Sequence, residues 1–399
     1  MAMRSPAGFI SAFFDPLKNP NAPTSPSATG GDASASVTFT APANVGGSAI
    51  TAYYAVSNPS QITGTAASSP VTVTGLTNGA SYSFNVWALN SFGPGVLSSA
   101  TGSVTPAQVL ALIILNSSPR DIGSLGLSSL GSTTNFGTLS FNAASCSGVA
   151  SSTRAVFSGD TSVTTSSYNT FATAGNSVSF GSMYVGTLYS ASGNDSTRGL
   201  VSAGWNSGYV NIDTIQYCTI ATTGNWVSFG NLSQSLRGVS GCSSPTRTLI
   251  GAGFGPPAAS SIYYVTTATT GGSSFFGNLV NDNFYNAASC SNNTRGIWAS
   301  GATSTAAGQS AICYVTIAST GNAITFGTLA QGRNGPTGFS SQTYGFISGG
   351  NYPNPAGGTN YYGIDYVTLA STGNAASWGS LSSPGEQHLG AASQANGGL

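Results

Sequence analysis

One histidine and nine carboxylates are the whole supply of acid–base chemistry in the 399-residue chain. The histidine is His388 in "SPGEQHLG"; the acids are Asp15, Asp32, Asp121, Asp160, Asp195, Asp213, Asp282, Asp365 and Glu386. A single imidazole leaves no His-based metal cluster, and any Ser-His-Asp arrangement would have to use His388. Glycoside hydrolysis needs two carboxylates about 5–10 Å apart. Asp160, Asp213 and Asp365 share one kind of loop region, so a pair at a common mouth is conceivable, although such residues more often cap turns. No run of the form D-x-[DN]-x-[DN]-G offers an EF-hand calcium loop. The expectation is a non-enzymatic protein with no catalytic, metal or cofactor site.

Aromatic rings remain as candidate chemistry. Trp205 and Tyr209 lie in "GWNSGYVNID", Tyr263 in "SSIYYV", and Tyr352, Tyr361 and Tyr362 in "NYPNPAGGTNYYG". Rings set among Asn, Ser and Gly suit stacking on sugars or an uncharged protein contact. The same rings could instead cover the tops of the elements that carry them.

Those elements are repeats. The stretch "YVTIASTGNAITFGTL" (314–329) returns as "YVTLASTGNAASWGSL" (366–381) and "YCTIATTGNWVSFGNL" (217–232). Aligned on the aromatic of "FG", six copies fall at Phe136, Phe180, Phe229, Phe276, Phe326 and Trp378, 44 to 52 residues apart. A tyrosine stands 12 residues before five of them: Tyr168, Tyr217, Tyr264, Tyr314 and Tyr366. A third element, "TRGLVSAG"-like, carries Arg154, Arg198, Arg247, Arg295 and, in the last copy, Tyr344, with Leu110 in the first. This period belongs to four-stranded propeller blades, so 107–399 reads as a six-bladed β-propeller; a β-solenoid is the competing architecture. The apolar strand ending in Gly-Gly or Ala-Gly loosely resembles kelch repeats. "STGN" makes a hairpin turn, and the fixed tyrosine-to-aromatic spacing is what strand register demands.

Only one spacing varies freely. From the Arg element to the tyrosine the copies run 14, 14, 19, 17, 19 and 22 residues, whereas the other spacings are constant to within one. One loop type, on one face, therefore takes up the variation, and variable loops on a rigid scaffold commonly house binding. The recurrent arginines could form a cationic ring facing the channel, or satisfy backbone carbonyls between blades with their five donors. Tyr344 and Leu110 interrupt such a ring, which favours the second reading.

Residues 21–106 carry strand alternation at Val37 and Phe39 and at Tyr82, Phe84, Val86 and Ala88. With Pro23, "TAP" at 40–42 and "GLTNGASYSFNVWALNSFGPG" at 75–95, the segment resembles a fibronectin type III domain along its whole length. The resemblance implies a β-sandwich in which Leu76 and Tyr82 form the tyrosine corner. Phe39 stands where that family usually has Trp.

Charged residues are 5% of the chain and the net charge is zero, against roughly 25% charged in ordinary domains. One Lys and eight Arg make no phosphate-binding patch, so nucleic acid is not an expected partner. No run approaches the roughly 20 apolar residues of a membrane helix, and the N-terminus lacks a signal-peptide cleavage pattern. An uncharged surface has little repulsion to hold copies apart, which points to life in an oligomeric assembly. Five cysteines at equivalent repeat positions read as free, buried thiols.

The N-terminal arm (1–20) contains "GFISAFF", whose Phe9, Ile10, Phe13 and Phe14 could add a strand to a partner's sheet edge or complete the chain's own sandwich. Arm, then "APTSPSATGGDASASVTFTAP", then "YVTIASTGNA…FG" repeats with "STRG": in this order the chain resembles structural proteins of tailed bacteriophages. That resemblance implies a virion protein of the tail, neck or capsid surface. The arm would anchor on other virion proteins, and the propeller would face a host glycan or protein. A secreted or surface-tethered bacterial adhesin that binds glycans is the alternative.

Overall fold

The computed structural model describes residues 17–118, 120–142, 145–159, 164–255, 260–280, 285–302, 308–352, 359–385 and 389–395. Strands are the only regular elements among them. The chain divides between Gln108 and Val109 into two units.

The first unit is a sandwich of two antiparallel sheets. One sheet holds Thr24–Gly31, Ser34–Thr40 and Val71–Thr74; the other holds Thr63–Ala66, Ala52–Asn58, Ser83–Asn90 and Gly93–Pro94. The alternation in the sequence becomes the core: Val37, Tyr82, Phe84, Val86 and Ala88 are buried with Ala55, Val71, Val73 and Leu76. Phe39 is only half-buried and tilts against Tyr53, ring centroids 4.8 Å apart. The tyrosine corner forms, with the Thr77 N–H donating to Tyr82 Oη at 3.1 Å. Trp87 lies off this core and stacks on Tyr54 at 5.1 Å.

The second unit contains six four-stranded antiparallel sheets, the last with a two-residue strand added at Asn351–Tyr352. Blade II runs outward from Ser147–Ala150 through Arg154–Ser158 and Thr165–Thr170 to Val178–Ser182. Blades III to VI repeat that order, their innermost strands being Ala191–Asn194, Ser240–Ser243, Ala288–Ser291 and Thr337–Ser340. Blade I is assembled from both ends of the unit. Ala391–Ser393 pairs with Leu110–Ile114, which continues to Asp121–Gly126 and Thr134–Thr138. The unit is a six-bladed propeller, closed by its last strand.

Apolar packing lies between blades. Each of six buried clusters joins one neighbouring pair: Val149, Val156 and Phe180 of blade II, for example, meet Val201, Cys218, Ile220 and Trp226 of blade III. The largest buried side chain, Trp298 of blade V, packs with Leu249, Ile262 and Phe276 of blade IV. A buried side chain of this size is worth about 1.5–3 kcal/mol, so the ring is held by its six seams. All five thiols are unpaired and buried in these seams, and burial pushes Cys146, Cys218 and Cys290 up to about 12.

The "STGN" turn does more than reverse its own hairpin. Its glycine N–H donates to the carbonyl of the "FG" aromatic in the preceding blade: Gly175 to Phe136 (2.7 Å), Gly224 to Phe180, Gly271 to Phe229, Gly321 to Phe276 (each 2.9 Å) and Gly373 to Phe326 (3.0 Å). The turn's Asn accepts from the same strand, as Asn322 Oδ1 does from the Asn278 N–H at 3.0 Å. The glycine of "FG" is dictated by this approach. A Cβ on Gly277 would lie 2.0 Å from the Gly321 carbonyl oxygen, and one on Gly379 would lie 1.9 Å from that of Gly131, across the closing seam.

The arginines act across the same seams. Arg154 donates to the carbonyls of Ile220 (3.0 Å) and Ala221 (2.8 Å) of the next blade. Arg198 reaches Thr267 and Ala268, Arg247 reaches Ile317 and Ala318, and Arg295 reaches Leu369. Each guanidinium also lies over its own blade's tyrosine, at 4.2 to 4.9 Å. They form no ring facing the channel. In blade VI, Tyr344 substitutes by packing on Tyr366 and Trp378 at 5.3 and 5.5 Å.

Gly277→Ala is therefore expected to destabilise the propeller by about 1–3 kcal/mol through forced displacement of the neighbouring turn. Calorimetry should show the propeller transition lowered while the sandwich transition stays in place.

Candidate functional site

Strand pairing decides which face carries the variable loops. The end of each second strand pairs with the start of the innermost strand: Ser158 with Ser147, Ser202 with Ala191, Gly251 with Ser240, Ala299 with Ala288, Ser348 with Thr337. Every length-varying loop in these blades thus opens beside one mouth of the central channel.

The channel itself is too narrow to hold an organic ligand. Gly148, Ser192, Gly241, Ser289, Gly338 and Ala391 line two cavities along it, one of about 90 Å³ at the loop-side mouth and one of about 40 Å³ beyond. A water molecule's share of liquid volume is about 30 Å³, so a few waters fit and a sugar ring does not. Hydroxyls knit the innermost strands together: Ser289 Oγ donates to Gly241 O and Ser291 Oγ to Ser243 O, both at 2.8 Å. Around the mouth, backbone bonds pass from blade to blade, Gly238 N–H to Tyr189 O (2.9 Å) and Asn286 N–H to Gly238 O (2.8 Å). Tyr189, Gly238 and Asn286 adopt left-handed φ values of 57°, 63° and 54° at this one repeat position.

Aromatic groups stand on the rim. In blade III, Trp205 makes edge contacts with Tyr189 (5.4 Å) and Tyr209 (5.8 Å), and Tyr209 is 70% exposed. In blade IV, the Arg237 guanidinium lies over two ring faces, Trp205 at 4.2 Å and Phe254 at 4.6 Å. Phe254 then meets Tyr285 of blade V at 5.6 Å. Three adjacent blades so share one continuous rim of five rings and a cation.

Blade VI holds a separate group. Tyr352 meets Tyr361 edge-on at 6.4 Å, and Tyr362 beside them is 50% exposed. Beneath, the Tyr361 ring covers the buried Arg333, which is ion-paired to Asp365. Burial holds the Asp365 carboxyl above its usual range against the pull of Arg333, and holds the guanidinium below its own against Asp365.

The structure thus brings Trp205 and Tyr209 together, and Tyr352, Tyr361 and Tyr362 in a second place. Tyr263 is a correction: it is 8% exposed, sits in the seam of blades III and IV and donates to Gln234 Oε1 at 3.1 Å. The cause is burial on both faces of the blade: Tyr263 and Val265 face the seam with blade III, while Ile262 and Tyr264 face that with blade V. The residues at the same position of other blades, Gln216, Cys313 and Asp365, are buried as well. The anchoring residues Phe9, Ile10, Phe13 and Phe14 lie outside the described residues, as do Asp160, Asp282, Glu386 and His388.

Asp213 and Asp365 cannot form a catalytic pair. They sit on the third strands of blades III and VI, on opposite sides of a six-bladed ring. With strands about 4.8 Å apart, two intervening strands on each side put them well beyond the roughly 10 Å limit. Asp195 caps a turn by accepting from the Thr197 and Arg198 N–H groups at 2.7 and 2.6 Å, at the far end of its strand. Tyr189, Arg237, Phe254 and Tyr285 escaped the sequence reading. Their signal is positional, since Leu188, Arg237, Tyr285 and Asn334 all stand three residues before an innermost strand and bridge to the loop opposite.

Comparison with known proteins agrees with the first unit: residues 21–104 match the fibronectin type III domain family, so the sandwich is such a domain. No curated protein matches the chain by sequence. Among solved structures, one titled "Structure of YjhT" is similar at 12% identity and a TM-score of 0.49, over 61% of this chain and 86% of that one. That likeness is too distant to bear on function.

Replacing Arg333 with Met leaves Asp365 buried without its partner, which should cost about 3–5 kcal/mol. Urea unfolding followed by circular dichroism should show that loss, and Arg333→Met with Asp365→Leu should recover a large part of it.

Proposed function

We propose that the chain is a non-enzymatic structural protein of a tailed-bacteriophage particle, whose propeller is carried outward to contact the host cell surface. The observation that carries the binding part of this reading is the gathering of variable loops and exposed rings on one face of a ring stiffened at every seam. A rigid scaffold presenting amphipathic rings loses little entropy on binding. The virion part rests on the order of arm, fibronectin type III domain and propeller, and on a nearly uncharged composition. Such a surface is little affected by changing salt. In this role the arm, through Phe9, Ile10, Phe13 and Phe14, docks on other virion proteins by strand addition. The fibronectin type III domain spaces the propeller from the particle, at the tail fibre, baseplate, neck or capsid surface.

Immunogold microscopy of particles from the source lysate, with antibody raised against residues 107–399, tests the proposal. Gold at a tail tip or baseplate is expected for a host-contacting role, and gold at the head or neck for a decorating one. Unlabelled particles with the epitope intact would overturn the virion reading, and free protein in the medium would then favour a glycan-binding adhesin.

A further inference from the structure

The arginines of the propeller fall into two kinds. Arg154, Arg198, Arg247 and Arg295 spend donors on carbonyls of the next blade, and Arg333 is ion-paired with Asp365. Arg237 does neither. Its backbone is fixed by bonds in both directions with Phe254, at 3.1 and 2.7 Å. Its guanidinium lies over Trp205 and Phe254 with no hydrogen bond or ion pair among the described residues. The group is half-buried and stands on the loop face of a protein whose charged residues are 5% of the whole.

A guanidinium carbon over two rings, with no acceptor among the described residues, leaves its five in-plane N–H donors for a ligand. An edge presented in this way matches a planar carboxylate, which accepts two parallel N–H···O bonds in the same plane. Partial burial strengthens such a bond relative to water, and stacking holds the fork before the ligand arrives. Beside it, Tyr209 and Trp205 offer ring surface, with the indole Nε1 of Trp205 buried and unpartnered. Asn206 in the loop, and Asn211 and Ser235 at the strand ends near it, add amide and hydroxyl groups, of which Asn206 Oδ1 and Asn211 Nδ2 already bond to backbone. The combination of one anion site, ring faces and neutral polar groups suits a sugar unit that bears a carboxylate.

We propose that the rim formed by Trp205, Tyr209, Arg237 and Phe254 binds carboxylate-bearing saccharide, with the Arg237 guanidinium paired in plane to the carboxylate and the sugar ring against the neighbouring aromatic faces. This rests on the reading of the loop face as a binding surface and names the ligand class that face takes. The bond is ionic, so binding weakens as salt rises, while the ring contacts persist.

The test uses the full chain and three immobilised polymers: polygalacturonate, its fully methyl-esterified form and polyglycerol phosphate. Biolayer interferometry at low and at 0.5 M salt is expected to show polygalacturonate bound most tightly, with at least a tenfold loss on esterification. Arg237→Gln should lower polygalacturonate binding tenfold or more with the thermal transitions unchanged. Tyr209→Ala, at an exposed position that folding does not need, should lower it severalfold, and Lys18→Gln should have no effect. Equal binding of ester and acid, tighter binding of the phosphate polymer, or unchanged binding by Arg237→Gln would overturn the proposal. If Tyr209→Ala alone weakens binding to the neutral ester, the loop face binds ligand but the carboxylate assignment fails. No binding of any polymer overturns the ligand class, whereas particle microscopy separately judges the virion role.

Discussion

A turn of one blade pressed against a glycine of the blade before it is the constraint on which this propeller depends. The contact leaves no room for a Cβ, and it repeats around the ring, from Gly137 against Gly175 to Gly379 against Gly131. Its consequences spread along the chain. The turn must arrive at a fixed height, so the hairpin from tyrosine to "FG" aromatic cannot change length. The tyrosine ring then meets that aromatic edge-on, at 5.7 to 6.2 Å in four blades. An arginine lies over the tyrosine and reaches across to the next blade. Apolar seams, turn contacts and arginine bonds all act between neighbours, so no blade is stable alone.

Rigidity at the turn side permits variation at the other. Among the described residues, loops between second and third strands make none of these turn contacts or arginine bonds, and nearly all variation in length falls in them. They lie beside a channel mouth too small for organic ligands, which shifts any recognition to the rim. There the chain has placed exposed rings and one guanidinium whose donors meet no acceptor among the described residues. Four of its acidic groups are committed elsewhere: Asp365 to Arg333, Asp195 to a turn, Asp121 to Asn116, Asp32 to Asn78.

Much of this architecture is legible in the sequence because the seams impose it locally. The 12-residue hairpin, the "STGN" turn and the recurring arginine are each readable within one copy, and counting copies gives the blades. The innermost strands are not. Stretches such as "SGVA", "ASGN" and "SGCS" show no apolar alternation, because they pack on one another's backbones with only Gly, Ser or Ala between. A Cβ at Gly241 would lie 2.2 Å from the Ser192 oxygen. Tyr263 looked exposed because it adjoins a variable loop, whereas the neighbouring blade that covers it is seen only in the folded ring. The rim of Trp205, Arg237 and Phe254 joins two blades, so only the folded ring reveals it.

The last strand concentrates the same logic in three residues. Ala391–Ser393 pairs with Leu110–Ile114, Ser393 Oγ donates to Ser340 O at 2.6 Å, and Gly390 N–H meets Cys146 Sγ at 3.3 Å. It therefore ties blade I to both of its neighbours. The most direct test of a closed ring of interdependent blades is calorimetry on a chain ending at residue 388. Loss of the cooperative propeller transition, with the transition of the fibronectin type III domain retained, is the result this account predicts. A propeller transition unchanged in temperature and enthalpy would contradict it.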